Sequence, residues 1–173
     1  MAPRSRLLVN TGDGKGKSSA AMGVMARGWA RGWRVCVVQF VKGGKWKVGE
    51  RKLAAELGIE FHTLGDGFTW ESEDLAATAD LGRMAWQVAR EKISSAEYDL
   101  VILDELTYAI NYGWLEEPEV LQVLDGRPDR TNVVVTGRRA PQGLIEIADT
   151  VTEMRKVKHA YDAGTKARKG IEY

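Results

Sequence analysis

Cysteine and histidine are scarce in this sequence of 173 residues, which contains one cysteine and two histidines. A single cysteine excludes a disulfide within the chain, and the apolar neighbours of Cys36 predict a buried core thiol. No zinc-ligand spacing, Ser-His-Asp set or dinucleotide-binding fingerprint is present in the sequence. The formal net charge is only +1, so we expect no nucleic-acid partner, because such a partner requires a basic surface.

Long apolar runs are also missing. No run approaches the roughly 18 residues that would span a bilayer, and with the first predicted strand beginning at Leu7 we expect no signal peptide. We therefore expect no membrane partner and a cytoplasmic location. Hydrophobic residues make up 44% of the chain and charged residues 28%, which is typical of a globular protein. The length predicts one domain over residues 1–173, with a basic tail over 155–173.

The chain does contain a glycine-rich loop between a short apolar run and a helix-forming stretch. Residues 7–19 read LLVNTGDGKGKSS. Glycines let backbone N–H groups turn toward phosphate oxygens, a lysine supplies positive charge for the terminal phosphates, and a hydroxyl can bind magnesium. The pattern predicts a phosphate-binding loop for a nucleoside triphosphate, with Thr11 where the general motif has its first glycine. The alternative is a glycine-rich turn with incidental lysines. The predicted nucleotide-binding residues are Gly12, Asp13, Gly14, Lys15, Gly16, Lys17, Ser18 and Ser19.

Strand and helix patterns alternate along the rest of the chain. Short apolar runs predict strands that begin at Leu7 and that cover 35–41, 59–64, 100–103, 132–136 and 150–154. Helical spacing predicts helices over 17–29, 50–57, 75–93, 118–124 and 141–148, and a short helix through Tyr108 and Tyr112. This alternation predicts an α/β fold. We expect a three-layer α/β/α architecture like that of P-loop NTPases (RecA-like), with a mostly parallel sheet of about six strands.

Two carboxylates follow the predicted strand at 100–103. In such sheets, ligands bind beyond the carboxyl ends of the strands, so we expect Asp104 and Glu105 near the glycine-rich loop. A carboxylate there can reach magnesium directly or through water, which makes Ser18, Asp104 and Glu105 the candidate metal ligands. The alternative for Asp104 is an N-cap of the next helix. The sequence leaves open which carboxylate binds the metal directly.

Two aromatic residues, Phe68 and Trp70, lie in a loop that otherwise contains Gly, Asp, Thr and Glu. Exposed rings in a polar loop indicate contact with a flat, apolar ligand. The alternative is that both rings fold back onto the core. Spacing alone does not decide between these two interpretations.

Together these motifs resemble the P-loop type of ATP:cob(I)alamin (corrinoid) adenosyltransferase. The resembling segments run nearly from end to end of the chain: TGDGKGKS at 11–18, VQFVKG at 38–43, GFTWE at 67–71, LDELTY at 103–108, VTGR at 135–138 and VKHAYDAG at 157–164. The loop alone is moderately specific, whereas the Phe-Thr-Trp-Glu and Lys-His-x-x-Asp-Ala-Gly motifs are quite specific in combination. Thr11 agrees with the family, whose loop begins Thr-Gly-x-Gly-Lys-Gly-Lys.

The resemblance implies that Co(I) of a reduced corrinoid attacks the 5′ carbon of ATP and that triphosphate leaves, in the biosynthesis or salvage of adenosylcobalamin. It implies that residues 12–18 hold the triphosphate, with Lys17 as a catalytic charge, and that Ser18 and Glu105 bind Mg²⁺. Phe68 and Trp70 would act in catalysis by occupying the lower face of the corrin and displacing its axial ligand, which eases reduction of the cobalt. An electron donor such as a reduced flavoprotein and a homodimer are also implied. Longer members carry an N-terminal helical extension over the corrinoid site, for which we expect no counterpart here.

Two other functions remain open from the residues themselves. An ordinary P-loop ATPase or kinase would use Asp104 and Glu105 to position the nucleophile and Arg138 as a cis arginine. A non-catalytic corrinoid or nucleotide carrier would bind its ligand without turnover.

Overall fold

The computed structural model describes residues 4–43, 49–65 and 75–171, and within these ranges strands alternate with helices except that two helices follow one another between the fourth and fifth strands. The elements are β1 (Leu7–Thr11), α1 (Lys17–Trp29), β2 (Val35–Gly43), α2 (Gly49–Glu56), β3 (Glu60–Gly65), α3 (Leu75–Ser94), β4 (Leu100–Asp104), α4 (Leu106–Asn111), α5 (Glu117–Asp125), β5 (Asn132–Thr136), α6 (Gln142–Ile147) and β6 (Thr150–Glu153). The predicted strands and helices are present, with boundaries that differ by at most two residues from the predicted ones. A short 3₁₀ helix at Ala160–Ala163 was not predicted.

The six strands form one sheet in the order β3-β2-β4-β5-β1-β6. Every strand pairing in this sheet is parallel, so the carboxyl ends of all six strands lie at the same edge. Because the strands are not joined in the order in which they pair, β1 lies between β5 and β6. This arrangement brings the residues that follow β1, β4, β5 and β6 together at one edge.

Helices cover the two faces of the sheet and enclose a core on each. One core contains apolar residues of α1 and α2, including Met25 and Ala54, packed on the strand residues Val37 and Ile102. The other contains residues of α3 to α6 packed on the alternate strand positions. All five residues of β4 are buried, as expected for a parallel strand covered on both sides. The predicted three-layer α/β/α, P-loop-like fold is confirmed.

Cys36, the single cysteine, lies in β2 and is fully buried. Burial raises the pKa of its thiol to about 12, which keeps the thiol protonated and unreactive at neutral pH. The prediction of a core thiol is therefore confirmed. Among the helices that the structure describes, none combines the length and the apolar character needed to cross a membrane.

An ion pair between buried Arg127 and the more exposed Asp149 holds the start of β1 beside the start of β6. The Arg127 side chain is 2% exposed, and its Nη2 lies 3.1 Å from Asp149 Oδ2. The same nitrogen donates to Ser5 O at 3.1 Å, and Asp149 Oδ2 accepts the N–H of Leu7 at 2.7 Å. The hydrogen bond from Leu7, together with the charge of Arg127, holds the pKa of Asp149 below its usual value.

We predict that Asp149→Asn lowers the free energy of unfolding by about 2 kcal/mol at pH 7, because it leaves a buried guanidinium without its anionic partner while solvent screens part of the lost charge. The lowered pKa of Asp149 means that its contribution is present above the pKa of the unfolded chain and is lost as the pH falls through the folded value. Urea denaturation should therefore show a gap between wild type and variant that shrinks below about pH 4.

The control is Asp80→Asn, which loses only the exposed pair with Arg83 and should cost well under 1 kcal/mol. A gap between wild type and Asp149→Asn that stays constant between pH 7 and pH 3 would contradict the assignment.

Candidate active site

The glycine-rich loop, residues 12–16, connects β1 to α1 and packs against the chain that leaves β6. Gly14 N–H donates to Met154 O at 2.6 Å, and Met154 N–H donates to Thr11 O at 2.8 Å. A Cβ on either Gly12 or Gly14 would lie 2.6 Å from that same carbonyl oxygen. The φ angles of Gly12 and Gly16 are +93° and +113°, which side chains rarely adopt. The path of the loop therefore requires glycine at these positions.

Thr11 stands where the general motif has glycine and is the last residue of β1. Its hydroxyl oxygen accepts the N–H of Ala140 at 3.0 Å, and the residue is almost fully buried. This contact connects the start of the glycine-rich loop to the segment that follows β5. Glycine could not make it, so the departure from the general motif has a structural reason.

Lys17 reaches back from the first turn of α1 into the loop. Its Nζ donates to Gly12 O at 2.8 Å and to Gly14 O at 2.7 Å, and the residue is 7% exposed. Burial lowers the pKa of Lys17, and the Glu105 carboxylate opposes this effect most strongly, followed by Asp13 and Asp104. The loop thus contains a buried ammonium held by two backbone carbonyls, and Glu105 is the carboxylate that most favours its charged form.

Helix α1 starts directly after the loop, with Gly16 as its N-cap residue and no side-chain capping hydrogen bond. Ser18 is half-buried and Ser19 is exposed in the first turn. The first N–H groups of a helix have no partner within the helix, and the helix dipole favours an anion beside them. The predicted nucleotide-binding residues are therefore assembled around one helix N-terminus, an arrangement that suits a phosphate group.

The two adjacent carboxylates differ in their surroundings. Asp104 is fully buried; its Oδ2 accepts from Gln39 Nε2 at 2.8 Å and its Oδ1 accepts from Thr136 Oγ1 at 2.7 Å. Glu105 is half-buried, and its φ of +64° places it in the left-handed region. The N-cap position of α4 is Glu105, without a side-chain capping hydrogen bond. Asp104 therefore does not occupy the N-cap position that was its alternative role.

Two cavities open beside the loop and share Asp13 and Arg138, whose charged groups lie 4.0 Å apart. The first, of about 280 Å³, is also lined by Tyr108, Asn111, Tyr112 and Arg139. The second, of about 440 Å³, is also lined by Lys156, His159, Tyr161 and Asp162. The four residues that line only the second cavity belong to the basic tail, residues 155–173, so this C-terminal segment forms part of the site.

Phe68 and Trp70 lie outside the described residues, so their predicted contact with a flat ligand stays a prediction. The remaining predicted residues, which belong to the glycine-rich loop, the start of α1 and the end of β4, lie at the same sheet edge. Sequence reasoning missed Thr136 and Met154. Thr136 ends a strand just before a glycine, which is a weak local signal, and nothing local marks Met154.

The model of the family "ATP:corrinoid adenosyltransferase BtuR/CobO/CobP" matches residues 4–173. The chain belongs to this family. It is 47% identical over 174 residues to a corrinoid adenosyltransferase of Pseudomonas aeruginosa, covering 98% of this chain and 84% of the relative. The corrinoid adenosyltransferase of Escherichia coli K12 and the corrinoid adenosyltransferase CobA of Salmonella typhimurium are each 44% identical over 170 residues, covering 98% of this chain and 86% of the relative. The resemblance inferred from the motifs is confirmed, and the chain is an enzyme of the adenosyltransferase class.

We predict that Gly14→Ala disrupts the loop, because its Cβ would meet the backbone at residues 154 and 155 within 2.8 Å. ATP affinity, measured by calorimetric titration, should fall on the order of 10-fold or more, since backbone contacts cannot yield as a flexible side chain can.

Gly23→Ala is the matched control, because a Cβ at this position of α1 meets nothing within 4 Å. That variant should keep wild-type ATP affinity and gain roughly 0.5–1 kcal/mol of stability from its better helix propensity. Equal ATP affinities for the two variants would show that the contact with residue 154 does not shape the site.

Proposed function

We propose that this protein transfers the 5′-deoxyadenosyl group of ATP to Co(I) of a corrinoid and releases triphosphate, in the biosynthesis or salvage of adenosylcobalamin. The observation that supports this most is the buried Lys17 ammonium inside a loop of glycine backbone at the start of α1. The family to which the chain belongs uses ATP and a corrinoid. The two together support ATP as the ligand of the loop and a corrinoid as the acceptor of the transferred group.

The reaction depends on the placement of the two substrates and on positive charge near the leaving group more than on acid–base groups. The Co(I) electron pair forms the Co–C bond while the C5′–O bond breaks, and the triphosphate leaves with that bonding pair. Because the nucleophile belongs to the corrinoid, the protein has to bring C5′ and cobalt together and stabilise the leaving group. Residues 12–19 would hold the triphosphate, and Lys15 and Lys17 would offset its growing negative charge.

The oxygen donors near the start of α1 fit a magnesium ion. Ser18 supplies a hydroxyl in the first turn, and Glu105 is the carboxylate with the strongest effect on the pKa of Lys17. Such hard oxygen donors are those that Mg²⁺ prefers. We propose that Ser18 and Glu105 hold Mg²⁺, which when bound supplies positive charge that offsets that of the triphosphate.

The proposed contacts with the corrinoid come from the sequence motifs, because Phe68 and Trp70 lie outside the described residues. Phe68 and Trp70 would lie against the lower face of the corrin and displace its axial ligand, which makes the cobalt easier to reduce. The electron comes from outside the chain, and we propose a donor such as a reduced flavoprotein. A homodimer and a cytoplasmic location are further proposals that follow from the likeness to the family.

Product analysis tests the proposed function. Incubation with ATP, Mg²⁺ and chemically reduced corrinoid should yield a corrinoid heavier by one deoxyadenosyl group, with one triphosphate released per product. Mass spectrometry and phosphorus NMR measure the two. Release of ADP and phosphate without a Co–C bond would indicate an ATPase instead, and tight corrinoid binding without turnover would indicate a carrier.

We predict that Trp70→Ala keeps wild-type ATP affinity but loses on the order of 10-fold or more of the rate from cob(II)alamin, because the ring acts on the corrin rather than on the nucleotide. The reaction from chemically prepared cob(I)alamin should be affected less. Trp33→Ala is the control, since Trp33 precedes β2 at the opposite edge of the sheet. Unchanged turnover of cob(II)alamin by Trp70→Ala would contradict the assigned role.

A further inference from the structure

Asp104 accepts hydrogen bonds from both of the strands that flank β4. Its Oδ2 accepts from Gln39 of β2 at 2.8 Å, and its Oδ1 accepts from Thr136 of β5 at 2.7 Å. The residue is 0% exposed. Glu105, by contrast, is half-buried, so of the two carboxylates it is the one with part of its surface accessible to an ion.

The hydroxyl of Thr136 links Asp104 to Glu105, the next residue along the chain. It donates to Asp104 Oδ1 and accepts the N–H of Glu105 at 2.9 Å. Glu105 has a φ of +64°, a conformation that a non-glycine residue keeps only when its surroundings hold it there. The hydrogen bond from its N–H to Thr136 is one such restraint.

Gly137, the residue after Thr136, packs closely against α4 and hydrogen-bonds to β1. A Cβ on Gly137 would lie 2.0 Å from Thr107 Oγ1, which shows how closely α4 approaches the chain that leaves β5. Thr107 Oγ1 donates to Arg138 O at 2.7 Å, and Gly137 N–H donates to Asn10 O of β1 at 3.2 Å. The end of β5 therefore connects the turn at Glu105 with the strand that enters the glycine-rich loop.

We propose that Asp104 is not itself a ligand of the divalent ion but a positioning residue, which acts through Thr136 to hold Glu105, the ligand proposed above, in its left-handed turn. The inference rests on the proposed function for the presence of a nucleotide-bound cation. It also gives Thr136 and Gln39 a part in assembling the site.

Conservative substitutions separate positioning from coordination. Asp104→Asn removes the charge and keeps the shape: Oδ1 of the asparagine can still accept from Thr136, and its amide can donate to Gln39 once the Gln39 amide turns over. Thr136→Val keeps the volume but removes the hydroxyl that both Asp104 and Glu105 use. Glu105→Gln removes the proposed ligand charge itself.

The experiment titrates Mn²⁺ by electron paramagnetic resonance in the presence of ATP, and follows thermal unfolding of each full-length variant without nucleotide. We expect Thr136→Val to weaken Mn²⁺ binding on the order of 10-fold, as loss of a partner behind a metal ligand does. Glu105→Gln should weaken it at least as much. Asp104→Asn should stay within about 3-fold of wild type, a difference smaller than such losses, and Thr136→Ser should restore binding.

Thr131→Val is the matched control, because Thr131 is also fully buried and precedes β5 at the opposite end of that strand, where its hydroxyl donates to Tyr98 O at 2.9 Å. It should lower the melting temperature as Thr136→Val does, without changing Mn²⁺ affinity. A loss of Mn²⁺ affinity in Asp104→Asn equal to that in Glu105→Gln, with Thr136→Val unchanged, would overturn the proposal. Corrinoid plays no part in this titration, so the result is independent of the product analysis that tests adenosyl transfer.

Discussion

Backbone contact between the glycine-rich loop and the chain leaving β6 shapes the candidate site. The loop comes so close to Met154 that a single added carbon at Gly12 or Gly14 would collide with the carbonyl oxygen there. The pairing of β6 with β1, which sets Glu153 opposite Thr11, places Met154 beside the loop. The tail that follows β6 starts at the loop for the same reason, and its residues line one of the two adjoining cavities.

The strand order places each functional segment beside its partners. Strand β5 lies between β1 and β4, so Thr136 at its end stands between the loop and the carboxylates. Gln39 reaches Asp104 from the other side, since β2 pairs with β4. A parallel sheet brings the carboxyl ends of its strands to one edge, but only this strand order places Thr136 between the glycine-rich loop and the two carboxylates.

Two consecutive carboxylates have different environments because the backbone changes direction between them. Asp104 is the last residue of a buried strand and faces two hydrogen-bond donors inside the protein. Glu105 turns into the left-handed region and starts α4, where its charge acts on Lys17. This separation suits a reaction whose nucleophile belongs to the corrinoid, because the protein then contributes positioned charge rather than a general base.

Local pattern was sufficient for the fold class, the strand and helix positions, the glycine-rich loop and the pair of strand-end carboxylates, because residue spacing and backbone preference act over a few residues. The family resemblance also came from motifs, although the roles of Lys17, Phe68 and Trp70 stay predictions. The 3₁₀ helix at Ala160–Ala163 was missed because four residues carry too little periodicity. The tertiary structure alone decided that Asp104 is buried, that Thr136 connects it to Glu105, and that Met154 packs against the loop. These contacts join residues distant in sequence, and their partners are set by strand order and packing across the whole sheet.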